Sequence, residues 1–543
     1  MPLPGDTGAW PPPPFDIAAT DMRVWDAWYT GNVAELSNIY VANSATRPAV
    51  GPGGIVGKLQ RFFWGRQETQ SNAKLHLPAP ADLARASADL LFAQPPTWRI
   101  STEDTVSGRP KAQKRLDAIF SEDEPVATLL EAAELCSALG GTYLRVWWDK
   151  SVSDHVMLGA VSADGALPEW RYNRLAAVTF WTTVSGGDGR RVLRHLERHE
   201  PGVIYHGLYE GDERRLGHRI DLRESPDTAW AAGVVNDQGA MPTGVRGLTA
   251  DFVPNVRPNR GRRTIPGLTQ LGRSDFDQLE GWFDALDETY ASWMRDIRVA
   301  KSRLFVDENL LKTGKPGRGG TWDAETEVYT ALKGMGSALD GGNMVQANQF
   351  AIRWAEHSQT AAELLNVVLR AAGLSASQFS DSSLTAGVIT ATEVNARENL
   401  SERTRKKKIT YWRAALTRLG FTAMQIDAAV FGTGYMLDEP PEVKFPTRSQ
   451  TSPGEMATSL SALATAHAMS IRQMVVEQHP DWDTPEVEAE VDRIFDDAKQ
   501  LGLISVPSPD EFGVGGDGDP DNPDEPIDPD ESTDSEERAT RAA

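Results

Sequence analysis

Leu279, Trp282, Leu286, Tyr290, Trp293, Ile297, Ala300 and Leu304 recur at steps of three and four residues. That spacing draws an apolar stripe along an α-helix of about 30 residues, roughly 45 Å long. Ser274 can cap this helix, and Asp275 and Asp277 suit its positive first turn, so the helix is expected over Ser274–Leu304. A second helix is expected over Gln349–Arg370, ending at Gly373. Between the two lies a Gly/Lys-rich excursion, Lys312-Thr-Gly-Lys-Pro-Gly-Arg-Gly-Gly320.

The flanking sequence changes texture twice. Residues 1–20 are proline-rich, with Pro11 to Pro14 in a row, and read as extended. Helices are expected over Met22–Tyr40, over Ala79–Phe92 (stopped by Pro95-Pro96) and over Glu124–Leu139, with Gly140-Gly141 as punctuation. From Thr142 to Pro258, short β-branched and aromatic runs such as Tyr143-Leu-Arg-Val-Trp-Trp148 alternate with glycine turns, which predicts a sheet. Beyond the second long helix, Ser375–Gly387 reads as a polar loop. Thr390-Ala-Thr-Glu393 is a capping box opening a third long helix to Leu419. Its charged face carries Arg403, Arg405, Lys406, Lys407 and Lys408, which suits a helix lying between neighbours. Two further helices fit Pro453–Glu477 and Pro485–Leu501, and the Asp/Pro/Gly-rich tail after Val506 reads as disordered. The fold class is α+β, predominantly helical, and 543 residues suit three or four modules.

Charge and composition narrow the function. The single cysteine, Cys136, excludes an intramolecular disulfide framework and any cysteine-based zinc module, and the chain reads as cytosolic. No secretory signal is visible, and no apolar run reaches the ~18–20 residues of a spanning helix. The net charge is −22, and Asp510 to Arg541 alone contributes 13 acids against Arg538 and Arg541. So acidic a chain does not grip nucleic acid over its whole surface, although local basic patches can touch it.

Most candidate chemistry fails on spacing. Gly51-Pro-Gly-Gly-Ile-Val-Gly-Lys58 imitates a phosphate loop, but Pro52 replaces the first glycine and Leu59 the magnesium-binding hydroxyl. His195-Leu-Glu-Arg-His199 sets two imidazoles four apart, as zinc hydrolases do on a helix, yet Glu197 occupies neither glutamate position of the known patterns. The flanks are β-like, where residues four apart stand roughly 14 Å apart, so surface histidines on a sheet are expected. Cys136 reads as a buried small apolar residue, and Asp284, Asp287 and Glu288 as solvated acids on a helix. No catalytic residue, metal or cofactor is expected. Lys312, Lys315 and Arg318 at the exposed excursion are candidates for partner or DNA contact, and Arg403 to Lys408 for contact with a neighbouring subunit or solvent.

Taken in order, Trp25-Asp-Ala-Trp-Tyr29, Ala86-Ser-Ala-Asp-Leu-Leu-Phe-Ala-Gln-Pro-Pro96, Gly140-Gly-Thr-Tyr-Leu-Arg145, Gly272-Arg-Ser-Asp275, Asp284-Ala-Leu-Asp-Glu-Thr-Tyr290, Ser292-Trp-Met-Arg-Asp296 and Ala391-Thr-Glu-Val394 resemble portal proteins of tailed bacteriophages. The nearest group is the long-tailed phages of actinobacteria, and the resemblance runs from Trp25 to Leu501. It implies a virion protein assembled in the bacterial cytoplasm into a ring, usually of twelve subunits, at one capsid vertex. Double-stranded DNA passes through without sequence preference. The implied partners are the terminase large subunit, the head–tail adaptors, and the major capsid and scaffolding proteins; no membrane is involved.

The implied division is a Pro-rich arm (1–20), a mixed α/β wing (21–272), a first stem helix (273–304), a clip (305–348) and a second stem helix (349–373). A channel loop (374–389), a long wing helix with its return (390–452), a helical crown (453–505) and the acidic tail (506–543) complete it. On this reading Gln378, Ser380, Asp381, Ser382 and Ser383 line the channel, Lys312, Lys315 and Arg318 lie on the clip, and Arg403, Arg405, Lys406, Lys407 and Lys408 meet adjacent subunits. The other classes are a metal-dependent hydrolase using His195 and His199, and a scaffold or adaptor without a channel.

Overall fold

In the computed structural model the described residues are 3–5, 8–44, 75–101, 104–187, 191–299, 303–306, 345–348, 352–375, 391–446, 453–479, 482 and 484–500. The chain divides into two compact units, Met1–Arg448 and Ser449–Ala543. Helix α1 (Phe15–Thr30) follows directly on the proline run, because Pro14 at its N-terminal boundary lacks only an N–H that the helix would not use there. It stops at Gly31, whose φ of 64° reverses the chain, and α2 (Val33–Ser44) follows. The single helix expected over Met22–Tyr40 is therefore two.

Helix α3 (Ala79–Phe92) matches its expected bounds. Strand β1 (Thr97–Arg99), α4 (Arg109–Phe120) and α5 (Asp123–Leu139) follow, and α5 ends at Gly140 with φ 85° and its N–H donating to Cys136 O. The predicted sheet region then unfolds as β2 (Gly141–Trp147), β3 (Met157–Ser162), β4 (Ala166–Arg171), β5 (Arg174–Val184), β6 (Val192–Glu200), β7 (Val203–Asp212), β8 (Arg215–Ile220), β9 (Ala240–Pro242) and β10 (Ala250–Pro254). β2 is the centre of a three-stranded antiparallel sheet between β10 and β3. Strands β4 to β8 form an antiparallel meander, and β9 also pairs with β7.

The first long helix differs from its expected bounds. Residues after Ser274 form turns, Gln278 takes a φ of 68°, and α6 begins only at Glu280 and ends at Val299. Arg303–Val306 is not its last turn but β11, paired antiparallel with β12 (Val345–Asn348). Helix α7 (Trp354–Ala372) ends as expected at Gly373, and α8 (Ala391–Phe431) runs 41 residues, well past Leu419. Gly420 does not stop α8; it lets the Trp98 ring lie against the helix, for a Cβ there would meet that ring at 2.7 Å. The unit closes with β13 (Glu442–Lys444) beside β1.

Two apolar cores organise this unit. One joins α3, α4, α5, β2, β10 and α8, with Trp98 stacked on Phe120 at 4.1 Å and Phe92 against Trp412 at 4.8 Å. The other joins α1, α3, α5 and β5 to the paired ends of α6 and α7, around Trp25, Trp28, Phe276, Phe283, Val368 and Leu369.

The second unit holds α9 (Pro453–Thr465), α10 (Ile471–Gln478) and α11 (Thr484–Gln500). The helix expected over Pro453–Glu477 is broken where His467 takes a φ of 50° and Ser470 Oγ accepts from Gln473 N to cap α10. Among the described residues no helix is long and apolar enough to cross a membrane.

Candidate functional site

Helices α6 and α7 pack antiparallel. Leu286 and Ala361 share a small apolar cluster with Ala79, and nearer the body Phe283, Val368 and Leu369 join the larger core. At the other end Asp296 accepts from Arg353 (2.9 Å) and pairs with His357 Nε2 (3.0 Å), while Trp293 stacks on the His357 ring. The bonds from His357 and Arg353 hold the Asp296 carboxyl below the usual carboxylate range. Towards that end, among the described residues, Met294, Ile297, Ile352 and Trp354 are exposed, Trp354 by 65%, and Trp282 is exposed nearer the root. The acids thought solvated include one that is not. Asp287 is buried, accepting from Leu77 N at 2.9 Å and pairing with His76 Nδ1 at 3.0 Å.

The root of the pair is pinned by a buried polar knot. Asp275 was expected to favour a helix dipole; instead it accepts from Ser137 Oγ (2.7 Å), Asn255 Nδ2 (2.9 Å) and Lys408 Nζ (2.5 Å), and Lys408 also donates to Ser87 Oγ (2.6 Å). Ser274 reaches back to the end of α5, donating to Ala138 O and accepting from Phe276 N. Helices α5 and α8 thus meet the approach to α6 at one carboxylate, and α3 joins through Lys408.

This divides the basic run of α8. Ser401, Arg405, Lys408, Ile409, Trp412, Ala415, Leu416 and Leu419 form the buried face at three- and four-residue spacing. Arg405 donates to Leu90 O and Pro446 O. Arg405 and Lys408 are therefore unavailable to a neighbouring subunit, contrary to expectation, while Arg403, Lys406 and Lys407 are exposed.

His195 and His199 lie on a strand, β6, as the flanks predicted, but they are buried rather than on the surface. Both belong to one buried polar cluster around Glu197, which acts electrostatically on His195 and pairs with His199. His199 Nε2 pairs with Glu197 at 2.6 Å and Nδ1 with Thr249 Oγ1, whereas His195 Nε2 meets His206 Nδ1 at 3.2 Å. Burial depresses His195 and takes His206 down to about 4. Glu197 is opposed by burial, but Arg145 (2.8 Å) and His199 bring it far below the carboxylate range. Among the described residues no group of three or more His, Cys, Asp or Glu is placed to hold a metal ion. Cys136 is buried as expected, its Sγ facing Val253 O, and burial pushes the thiol far up.

Several sequence candidates lie outside the described residues: Lys312, Lys315 and Arg318; Gln378, Ser380, Asp381, Ser382 and Ser383; the Gly51–Lys58 run; and the acidic tail after Val506. The buried knot was missed from sequence. No residue spacing points to it, because nothing pairs Asp275 with Lys408 before the chain folds.

No protein-family model and no curated protein matches the chain. Among solved structures it is similar to the neck of a native GTA particle with C12 symmetry, at 11% identity and a TM-score of 0.37, over 80% of this chain and 95% of that one. A second similarity is to the neck of an empty GTA particle with C6 symmetry, at 13% identity and a TM-score of 0.35, over 81% and 96%. Likenesses this weak decide neither fold nor function.

Proposed function

We propose that the chain is a portal-type subunit: a structural protein that assembles into a ring at one vertex of a phage-like capsid and lets double-stranded DNA through. The observation that carries this reading is the α6–α7 pair. Two antiparallel helices are anchored at one end in the core, and among the described residues Ile297, Ile352 and Trp354 are exposed towards the other. Large apolar groups shared between two paired helices mark a surface that another chain completes. The antiparallel β11–β12 pairing between the two helices and the 41-residue α8 that follows agree with the stem, clip and wing-helix order of the portal resemblance. The net charge of −22 suits a conduit, because a fixed contact with each passing phosphate would retard the cargo. Docking of a terminase and head–tail adaptors, and a place in the virion, belong to the same proposal.

Mass photometry with negative-stain imaging tests it. The expected species is a ring with a central hole near twelve times 59.3 kDa. A stable small oligomer with no hole would overturn the reading.

A further inference from the structure

A cleft of about 440 Å³ opens beside the buried knot, where the turn before α6, the end of α7 and the exposed side of α8 converge. Three cations line it from separate stretches of chain: Arg260, Arg273 and Lys407. Arg273 and Arg260 lie within electrostatic reach of Asp277, and Arg273 Nε and Asp277 Oδ2 are both buried without a hydrogen-bond partner. Lys408 and Asp275 also border the cleft but neutralise each other. Asp277 is the remaining acid, so the lining keeps a surplus of two positive charges in a chain whose total is −22.

The cations continue outward. Arg403 and Lys406 are exposed on α8 around Lys407, and Arg260 and Arg263 are exposed on the loop that faces it. Arg260 of that loop and Lys407 of α8 line the same cleft, which lays loop and helix side by side. Trp282 stands half-open at the cleft and offers a flat apolar face.

We propose that this cleft is a phosphate-binding site, taking a phosphodiester of duplex DNA or a free phosphate ion. A carboxylate is satisfied by one guanidinium in a two-pronged pair. Cations approaching one void from three sides match a tetrahedral group whose oxygens diverge. As a DNA contact, the inference rests on the portal reading, and it supplies one weak, salt-sensitive hold per subunit. Such a hold steadies a passing duplex without selecting sequence.

The test uses the full-length protein and a short fluorescein-labelled duplex of arbitrary sequence, read by anisotropy across a salt series. Titration with inorganic phosphate and with poly-glutamate runs in parallel. Lys407→Ala and Arg273→Ala should each lower the slope of log K against log salt by about 1 relative to Arg85→Ala, an exposed charge removed elsewhere. Asp277→Asn should shift affinity the other way. Lys407 is exposed, so its loss leaves folding intact even if Arg273→Ala does not fold. Inorganic phosphate that competes with DNA, or binds where DNA does not, supports the site. Unchanged binding of both in the Lys407 variant overturns it, as does poly-glutamate binding where neither phosphate source binds. Mass photometry of the same samples keeps the two ideas apart: rings whose Lys407 variant binds both DNA and inorganic phosphate normally sink the cleft alone, while phosphate binding by a stable small oligomer with no hole sinks the portal reading alone.

Discussion

Lys408 Nζ lies 2.5 Å from Asp275 Oδ2, with both side chains sealed from solvent. One is in the middle of α8 and the other just before α6, so this pair ties the longest helix to the root of the α6–α7 pair. Removing one partner strands the other charge in the interior. Lys408→Ala should cost about 3–5 kcal/mol of stability, measured as a shift in denaturant midpoint. Replacing Lys408 by Met together with Asp275 by Asn should cost less than the single change, since no unpaired charge remains. A Lys408→Ala variant as stable as the parent would show the knot is not a structural tie.

The histidines of β6 and β7 set an acid limit. His206 titrates near 4 in the fold, below an unperturbed value of 6.5, so the unfolded chain binds more protons between those values. Its contribution is present above the unfolded value and is lost as pH falls towards the folded one. Glu197, also depressed, loses its contribution lower still, as pH falls below the ordinary carboxylate range. Melting temperature should decline from pH 6.5 to pH 4, and His206→Gln should flatten that decline. An identical profile in the variant would exclude the His195–His206 pair as its source.

Gly272 and Gly140 let two backbone segments touch. A Cβ on Gly272 would sit 2.0 Å from Gly140 O, and main chain cannot yield as a flexible side chain does. Gly272→Ala should cost about 3 kcal/mol or more by overpacking, and thermal melting would show it.

The uncovered apolar groups of α6 and α7 offer a test of assembly separate from folding. Trp354→Ser combined with Ile297→Ser removes exposed side chains, so the stability of the subunit should stay within about 0.5 kcal/mol of the parent. Ring mass in photometry should fall to that of single subunits. Rings that persist would place the contact surface elsewhere.

Cys136 is enclosed, with its thiol held protonated by burial. It should be inert to a thiol reagent in the native protein and react once the chain is unfolded. Rapid native labelling would contradict the packing around α5.

Several features were legible in the sequence because they rest on neighbours along the chain. Periodicity and punctuation located α3, α5 and α7 through Pro95-Pro96, Gly140 and Gly373, and alternating β-branched and aromatic runs located the sheet region. Those signals reside in local backbone sterics and in a period of side-chain direction, which need no knowledge of the fold. The same logic misjudged ends where packing outweighs local preference. The third long helix was expected to end at Leu419 but runs on past Gly420, which accommodates Trp98, and Leu304 continued a helical stripe but sits in a strand because Ala347 of β12 pairs with it. What tertiary structure alone decided is which charges are spent inside. Arg405 and Lys408 are chemically like Arg403 and Lys407, yet the first two face Leu90 and Asp275 while the others face water, because a helix turns about 100° per residue and only the fold says which side meets the core.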